Sequence, residues 1–398
     1  MTEQPLKPGW QMYRFDQIAV NVNERIEPGD TDAEYYVGLE HLDSDSLKIR
    51  RWGEPSDVEA TKLRFKTGDI IFGRRRVYQR KLAVAEFDGI CSAHAMVLRP
   101  KTEVVLPEFL PFFMQSDMFM NRALEISVGS LSPTINWRTL AQQEFPLPPL
   151  AEQRRLAEVL SASYQTYESI SEAIRAGHNL RYSIVDSRIL GEHKNDRLET
   201  PFGLLPSSWP IVRLNTALKD TQYGLSITPL SEGDYPLLRM MNIEDGEVVE
   251  NDIKYVNLSD KEFESYRLNK GDVLFNRTNS YELVGRTGIY NVDGDHVFAS
   301  YLVRIITDRN KLLPEYLVAY LNSSPGRQQV LSFATKGVSQ TNVNASNLGK
   351  VVIPLPPIEE QVETITFFES LRRGINLLED KLKKAHQIYK NLSQEVLM

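Results

Sequence analysis

The chain repeats itself. Residues 146–153 read Pro-Leu-Pro-Pro-Leu-Ala-Glu-Gln, and residues 354–361 read Pro-Leu-Pro-Pro-Ile-Glu-Glu-Gln, 208 positions later. Each copy opens a long stretch of helical periodicity. A repeat at such a fixed spacing constrains the fold more than composition does, because the same supersecondary unit has to be built twice. Proline disfavours a helical conformation in the residue before it, so each copy marks a joint at which a globular region ends and a helix begins.

Other segments run in step with the two joints. Lys66-Thr67-Gly68-Asp69-Ile70-Ile71-Phe72-Gly73-Arg74 matches Lys270-Gly271-Asp272-Val273-Leu274-Phe275-Asn276-Arg277 when Gly68 is set on Gly271. Both predict a Gly-Asp turn feeding a short strand that ends at an arginine. Tyr36 to Leu42 matches Leu237 to Ile243 as a strand entering a turn. Leu106-Pro107-Glu108-Phe109-Leu110 matches Leu313-Pro314-Glu315-Tyr316-Leu317, predicting a helix with proline at its first position. Further short helices are predicted over Met118 to Leu124 and Arg327 to Phe333. The segments 129–136 and 337–344, rich in Ser, Thr, Asn and Gln, precede the two joints.

After each joint the apolar spacing becomes helical. Leu156, Leu160, Ser163, Tyr167, Ile170 and Ile174 step by fours and threes, as do Leu371, Ile375, Leu378, Leu382, Ala385, Tyr389, Leu392 and Val396. This is a coiled-coil seam, and two such stripes cover each other most simply by packing together. Docking of each helix on its own globular region is the other way to cover them. Helices over 150–190 and 358–398 would each be roughly 60 Å long.

The expected fold is α+β: two pseudo-repeated globular domains of mixed α/β structure, 1–149 and 209–357, separated by two long helices packed as an antiparallel coiled coil. A polar, Pro-containing linker is expected over 191–208. A chain of 398 residues accommodates this many units. No apolar run is long enough for a bilayer, the N-terminus has no signal-peptide pattern, and Cys91 is the sole cysteine, expected to be buried. These features suit a reducing cytoplasm.

Catalytic signatures are absent from the sequence. It has no Gly-x-Gly-x-x-Gly, no phosphate-binding P-loop, no Asn-Pro-Pro-Tyr-like element, no His-Glu-x-x-His and no Gly-x-Ser-x-Gly, and its six histidines are scattered. A fused methyltransferase or nuclease would need such a site. The chemistry that is present is that of binding. Arg74-Arg75-Arg76-Val77-Tyr78-Gln79-Arg80-Lys81 carries five basic residues and no acidic one, in a chain whose net charge is −7. Such a loop can hold phosphates with Arg and Lys while Gln or Arg reaches base edges. Its counterpart Asn276-Arg277-Thr278-Asn279-Ser280-Tyr281 is less basic but rich in base-reading groups. Gln222, Tyr223 and Arg239 form a further candidate set.

The polar residues before each joint (Ser130, Ser132, Thr134 and Asn136; Ser339, Gln340, Thr341, Asn342 and Asn344) are expected to cap and orient the chain, with phosphate contact as the alternative. The outward helix faces, including Arg154, Arg155, Glu158, Gln165, Glu168, Lys381, Lys383, Lys384 and Gln387, are solvated or open to partners. A coiled-coil assembly scaffold without direct DNA contact remains the competing reading.

On the duplicated Pro-Leu-Pro-Pro-x-x-Glu-Gln joints with their helices, the paired Gly-Asp strands leading to Arg74 and Arg277, and the Phe72–Ser92 region, the chain resembles the specificity subunit of a type I restriction-modification enzyme. The resemblance spans nearly the whole chain. It implies that each globular domain is a target recognition domain reading half of a bipartite, asymmetric sequence in double-stranded DNA. It implies that the helices set the unread spacer. It also implies two methyltransferase subunits as partners and two restriction/translocase subunits in the full complex. S-adenosylmethionine, ATP and Mg would then be bound by those partners and no cofactor by this chain.

Overall fold

The computed structural model describes residues 6–200, 203–337 and 340–397. Ser339, the linker residues 201–202 and the side chain of Val396 lie outside the described residues. The chain divides into two compact units, Met1–Ser171 with Asp380–Met398, and Glu172–Glu379. Each unit holds one globular head and a stretch of each long helix.

The first head is built on the strand Ile70–Gly73, which lies between Leu82–Val84 and Ala95–Pro100, with Ala19–Val22 completing an antiparallel four-stranded sheet. The second head repeats this with Val273–Asn276 between Thr287–Ile289 and Leu302–Thr307. The Gly-Asp turns are formed as expected. Gly68 and Gly271 have φ of 87° and 90°, a region that side chains avoid. Asp69 accepts from Lys66 N–H at 2.9 Å and pairs with Arg99 on the adjoining strand. Asp272 accepts from Asn269 N–H at 2.9 Å and faces Arg304 at 3.6 Å.

Two short helices cover each sheet: Leu110–Gln115 and Asp117–Glu125 in one head, Pro314–Asn322 and Ser324–Ser332 in the other. Pro314 holds the first helical position, whereas Pro107 precedes its helix by a turn. Ser116 and Ser323 cap the second helix of each pair through side-chain oxygens. The first core is an aromatic cluster in which Phe119 meets Phe15, Phe72, Phe113 and Phe145 at centroid distances of 5.3–5.9 Å. Cys91 is buried, which pushes its thiol up to about 12.

Each head closes on its own beginning. Gln11–Arg14 pairs antiparallel with Glu144–Leu147, and Ile211–Arg213 with Val352–Pro354. The joint prolines Pro146 and Pro354 therefore lie in two-stranded ribbons, where a missing N–H is tolerated. Just beyond, the last residue of each motif acts as a clamp. The Gln153 Oε1 accepts from Leu106 N–H at 2.8 Å, and its Nε2 donates to Val104 O and Pro148 O, both at 2.9 Å. Gln361 does the same with Leu313 N–H at 2.9 Å, Lys311 O at 2.8 Å and Pro356 O at 2.9 Å. Both amides are enclosed, at 1% and 0% exposure. The angle at which each helix leaves its head is thus held by a saturated buried amide as well as by the prolines.

The long helices are Leu150–Ile189 and Ile358–Leu397, 40 residues each. In the first unit Tyr164 meets Tyr389 at 5.6 Å and Tyr167 meets His386 at 5.2 Å. In the second, Gly177 faces Ile375 and Arg188 lies over the Phe367 ring at 4.6 Å. In each unit one residue number rises as the other falls, so the pairing is antiparallel. The seam differs in detail from the expected one. Tyr164 is buried, whereas Ser163 and Tyr167 are half-buried. The reason is that Leu156, Leu160 and Tyr164 also belong to the core of the first head, so this helix packs on its head and on its partner helix at once. Glu168, expected on an outward face, is 3% exposed and ion-paired with Arg50. Segment 191–208, expected as a linker, contains an antiparallel hairpin of Arg197–Thr200 with Gly203–Pro206. No helix among the described residues is long and apolar enough to cross a membrane.

The junctions of head and helices use one frame with different side chains. In the first unit Phe112 packs on Tyr164 and Tyr389 at 6.1 and 6.4 Å. Tyr164 OH accepts from Leu47 N–H at 2.8 Å, and Tyr389 OH donates to Gln115 at 2.7 Å. The repeat sets Ala319, Arg372 and Arg181 on these three aromatic positions. In the second unit these residues line a cavity of about 530 Å³. Arg181 pairs with Asp245 at 2.9 Å and Arg372 pairs with Glu247 across it.

Candidate nucleic-acid interface

The loop after Ile70–Gly73 is held by Val77, the one buried residue of its short turn Val77–Gln79. Arg76 and Arg80 flank that turn with φ of 57° and 50°, a left-handed conformation that costs a non-glycine residue free energy. In the second head Gly285, two residues before the returning strand as Arg80 is, has φ of 86° at no such cost.

The basic run faces two ways. Arg80 turns inward, donating to Asp45 and Asp117 at 2.9 Å and to Gln115 O. Lys81 donates to Leu39 O at 2.6 Å. These two cations fasten the head. Arg75, Arg76 and Tyr78 are exposed, while Arg74 and Gln79 are half-buried. Arg74 donates to Ala93 O at 3.0 Å, Arg75 lies 3.4 Å from His94, and Arg76 Nε donates to Ser132 Oγ at 3.4 Å. Burial, then Arg75 and Arg74, holds the His94 imidazole below its usual range. His94 is thus neutral near pH 7 and can accept a hydrogen bond within a cationic surface.

The polar segment before the joint belongs to the same surface. Arg76 N–H donates to Pro133 O at 2.7 Å, and Ile135 N–H donates to Arg74 O at 2.9 Å. In the second head the corresponding strands form a three-stranded sheet of Thr278–Asn279, Thr341–Asn342 and Thr335–Lys336. Asn342 donates to Thr278 Oγ1 at 2.6 Å, and Val343 N–H donates to Arg277 O at 2.8 Å. The expected capping role falls to Asn136 and Asn344, whose side chains accept from Arg138 N–H and Asn347 N–H. Ser132, Thr134, Thr341 and Asn342 instead stand beside the candidate loops.

Around that sheet the second head gathers Tyr223, Arg277, Thr278, Asn279 and Tyr281. The Arg277 guanidinium lies 4.9 Å from the Tyr223 ring and donates to Ser300 O at 3.2 Å. Lys336, not singled out from the sequence, stands 4.5 Å from the exposed Tyr281 ring. Ring faces beneath cations fix flexible side chains and leave their outer N–H groups open. Asn279 Nδ2 contacts Met240 Sδ at 3.4 Å. Three candidates stand apart. Asn276 is 0% exposed and its amide has no hydrogen-bond partner among the described residues, so it does not reach the surface expected of it. Arg239 pairs with Asp252 at 2.9 Å. Gln222 donates to Ser265 O at 3.0 Å. No local sequence signal marks Lys336 or His94, because their neighbours in space lie some 20–60 residues away in sequence.

No cluster of three or more His, Cys, Asp or Glu residues placed to hold a metal occurs among the described residues. Each surface combines cations, amides, hydroxyls and aromatic rings, a set able to bind phosphates and base edges.

Comparison with known proteins agrees with this chemistry. The family model described as "Type I restriction modification DNA specificity domain" matches residues 56–176 and 225–387. The EcoKI specificity subunit of Escherichia coli K12 is 27% identical over 318 residues, covering 78% of this chain and 68% of that protein. A chain from a structure of a type I restriction-modification system aligns over 99% of this chain and 98% of its own length, with a TM-score of 0.59 and 22% identity. The type I restriction-modification S subunit from M. genitalium aligns over 100% and 98%, with a TM-score of 0.56 and 14% identity.

Proposed function

The chain belongs to the family of type I restriction-modification DNA specificity proteins, and from that premise we propose that it is the non-catalytic subunit through which such a complex selects its DNA. Each head reads one half of a bipartite, asymmetric sequence in double-stranded DNA. The first uses Arg74, Arg75, Arg76 and Tyr78. The second uses Tyr223, Arg277, Thr278, Asn279, Tyr281 and Lys336. The long helices set the unread spacer and dock two methyltransferase subunits, and two restriction/translocase subunits complete the assembly. S-adenosylmethionine, ATP and Mg are bound by those partners, in the cytoplasm.

One observation carries this reading. Both heads display a loop and a polar segment after the same strand, on the same frame, with different side chains. A shared frame suits a common partner, and divergent side chains suit an asymmetric sequence. The test is to map methylated adenines in a host carrying this chain and its methyltransferase. A two-part asymmetric site with a fixed gap is expected. Replacing the first head should change only one part of that site. A continuous site, or one indifferent to the replacement, would refute the proposal. A scaffold that never touches DNA would give binding to the methyltransferase with no salt-dependent affinity for DNA.

A further inference from the structure

In the first head the cationic loop carries a second, smaller hairpin. Val128 and Thr134 exchange both backbone hydrogen bonds at 3.0 Å, Arg75 bridges to Thr134, and Arg76 N–H holds Pro133 O. The chain turns over Gly129 at φ of 114°. The hairpin is therefore tied at its base to Arg75 and Arg76.

What it presents is apolar. Leu131 is 90% exposed and Val128 78%, the two most exposed large hydrophobic residues among those described. A single exposed leucine needs no explanation. Two on one short hairpin, fastened to the most basic loop of the chain, are not scatter. Polar groups frame them: Ser130 is exposed, and Ser132 receives the Arg76 guanidinium. Cations beside an apolar projection suit a groove, whose rims are phosphates and whose floor offers base edges and thymine methyl groups.

We propose that Leu131, backed by Val128, is an apolar base-contacting tip that enters a groove of the DNA while Arg75 and Arg76 hold the flanking phosphates. This rests on the reading of the heads as DNA-binding. A leucine offers no hydrogen bond, so its contribution to selectivity is one of shape. It favours a sequence that offers a methyl group or an easily opened base step.

The test uses the full chain co-purified with its methyltransferase subunit. Two duplexes serve as probes, one carrying the sequence found methylated in the host and one with that sequence shuffled. Affinity is measured across a salt series. Leu131→Ser is expected to weaken binding to the methylated sequence by about tenfold or more, the scale of burying one leucine. It should leave binding to the shuffled duplex and the salt slope unchanged, and Leu131→Met should restore most of the loss. Arg75→Ala should weaken both duplexes and lower the salt slope by about one. Wild-type affinity in Leu131→Ser, or an equal loss on both duplexes, would overturn the proposal. If the unmodified complex does not distinguish the two duplexes, the DNA-reading role of the heads fails first and takes this inference with it.

Discussion

The amide clamp at each joint gives a prediction with an internal control. Gln153→Ala removes three hydrogen bonds and leaves Leu106 N–H, Val104 O and Pro148 O without that partner in a site the solvent does not reach. A buried hydrogen bond contributes on the order of 1 kcal/mol net, and an orphaned buried group costs about 1–3 kcal/mol. Alanine suits a helix and the deleted side chain is small, so the loss should total about 2–4 kcal/mol. Hydrogen exchange measures this locally. The Leu106 amide should exchange ~30- to ~1000-fold faster, at 1.4 kcal/mol per tenfold. Leu313 should be unaffected. Gln361→Ala should reverse the pattern, exposing Leu313 and sparing Leu106. Gln153→Glu should be at least as harmful as alanine, because a carboxylate can accept from Leu106 but opposes two carbonyl oxygens. Unchanged Leu106 exchange in Gln153→Ala would show that the prolines alone hold the joint, and the reasoning from the amide would be refuted.

Three further outcomes are expected. Arg80→Ala should lower the thermal stability of the first unit, since Arg80 serves Asp45, Asp117 and Gln115, and should leave the salt slope of DNA binding unchanged, unlike Arg75→Ala. The Gln394 amide, then Arg80, holds the Asp117 carboxyl below its usual range. A depressed carboxylate pKa contributes stability above the unfolded value near 3.8, which is lost as pH falls through the folded value. Urea titrations between pH 6 and 3 should therefore show Asp117→Asn less acid-sensitive than the unsubstituted chain. Deleting seven residues from each long helix keeps the seam in register and removes ~10 Å of rise, so the gap in the methylated sequence should shorten by about three base pairs. An unchanged gap would separate the helices from any measuring role.

Much of the architecture is legible in the sequence because its signals are local. Gly68-Asp69 and Gly271-Asp272 mark a turn, the short β-branched and aromatic run after each marks a strand, and the fours and threes after each joint mark a helix. What escapes is set by distant partners. Arg80 and Lys81 look like their exposed neighbours until Asp45, Asp117 and Leu39 arrive from elsewhere in the fold. Asn276 ends a strand that a period-two reading cannot mark as enclosed on both faces. Tyr164 outranks Ser163 and Tyr167 in the seam because a head packs on it, which helical period cannot reveal. The glutamines of the duplicated motif are visible in the sequence, but the role of each lies in three backbone groups that precede it by 5 to 50 residues.

The exchange of Phe112, Tyr164 and Tyr389 for Ala319, Arg372 and Arg181 bears on how such a chain can acquire new specificities. Duplicated halves invite recombination, and the repeated Pro-Leu-Pro-Pro motif is the natural crossover point. A crossover there would seat Ala319 against two tyrosines and leave a void, or press Phe112 toward two arginines already committed to Asp245 and Glu247. A graft that carries the helix residues facing each head would keep the socket with its plug. Heads of this chain should therefore be interchangeable only when the exchange carries both helix residues that face each head, Tyr164 with Tyr389 for one and Arg372 with Arg181 for the other.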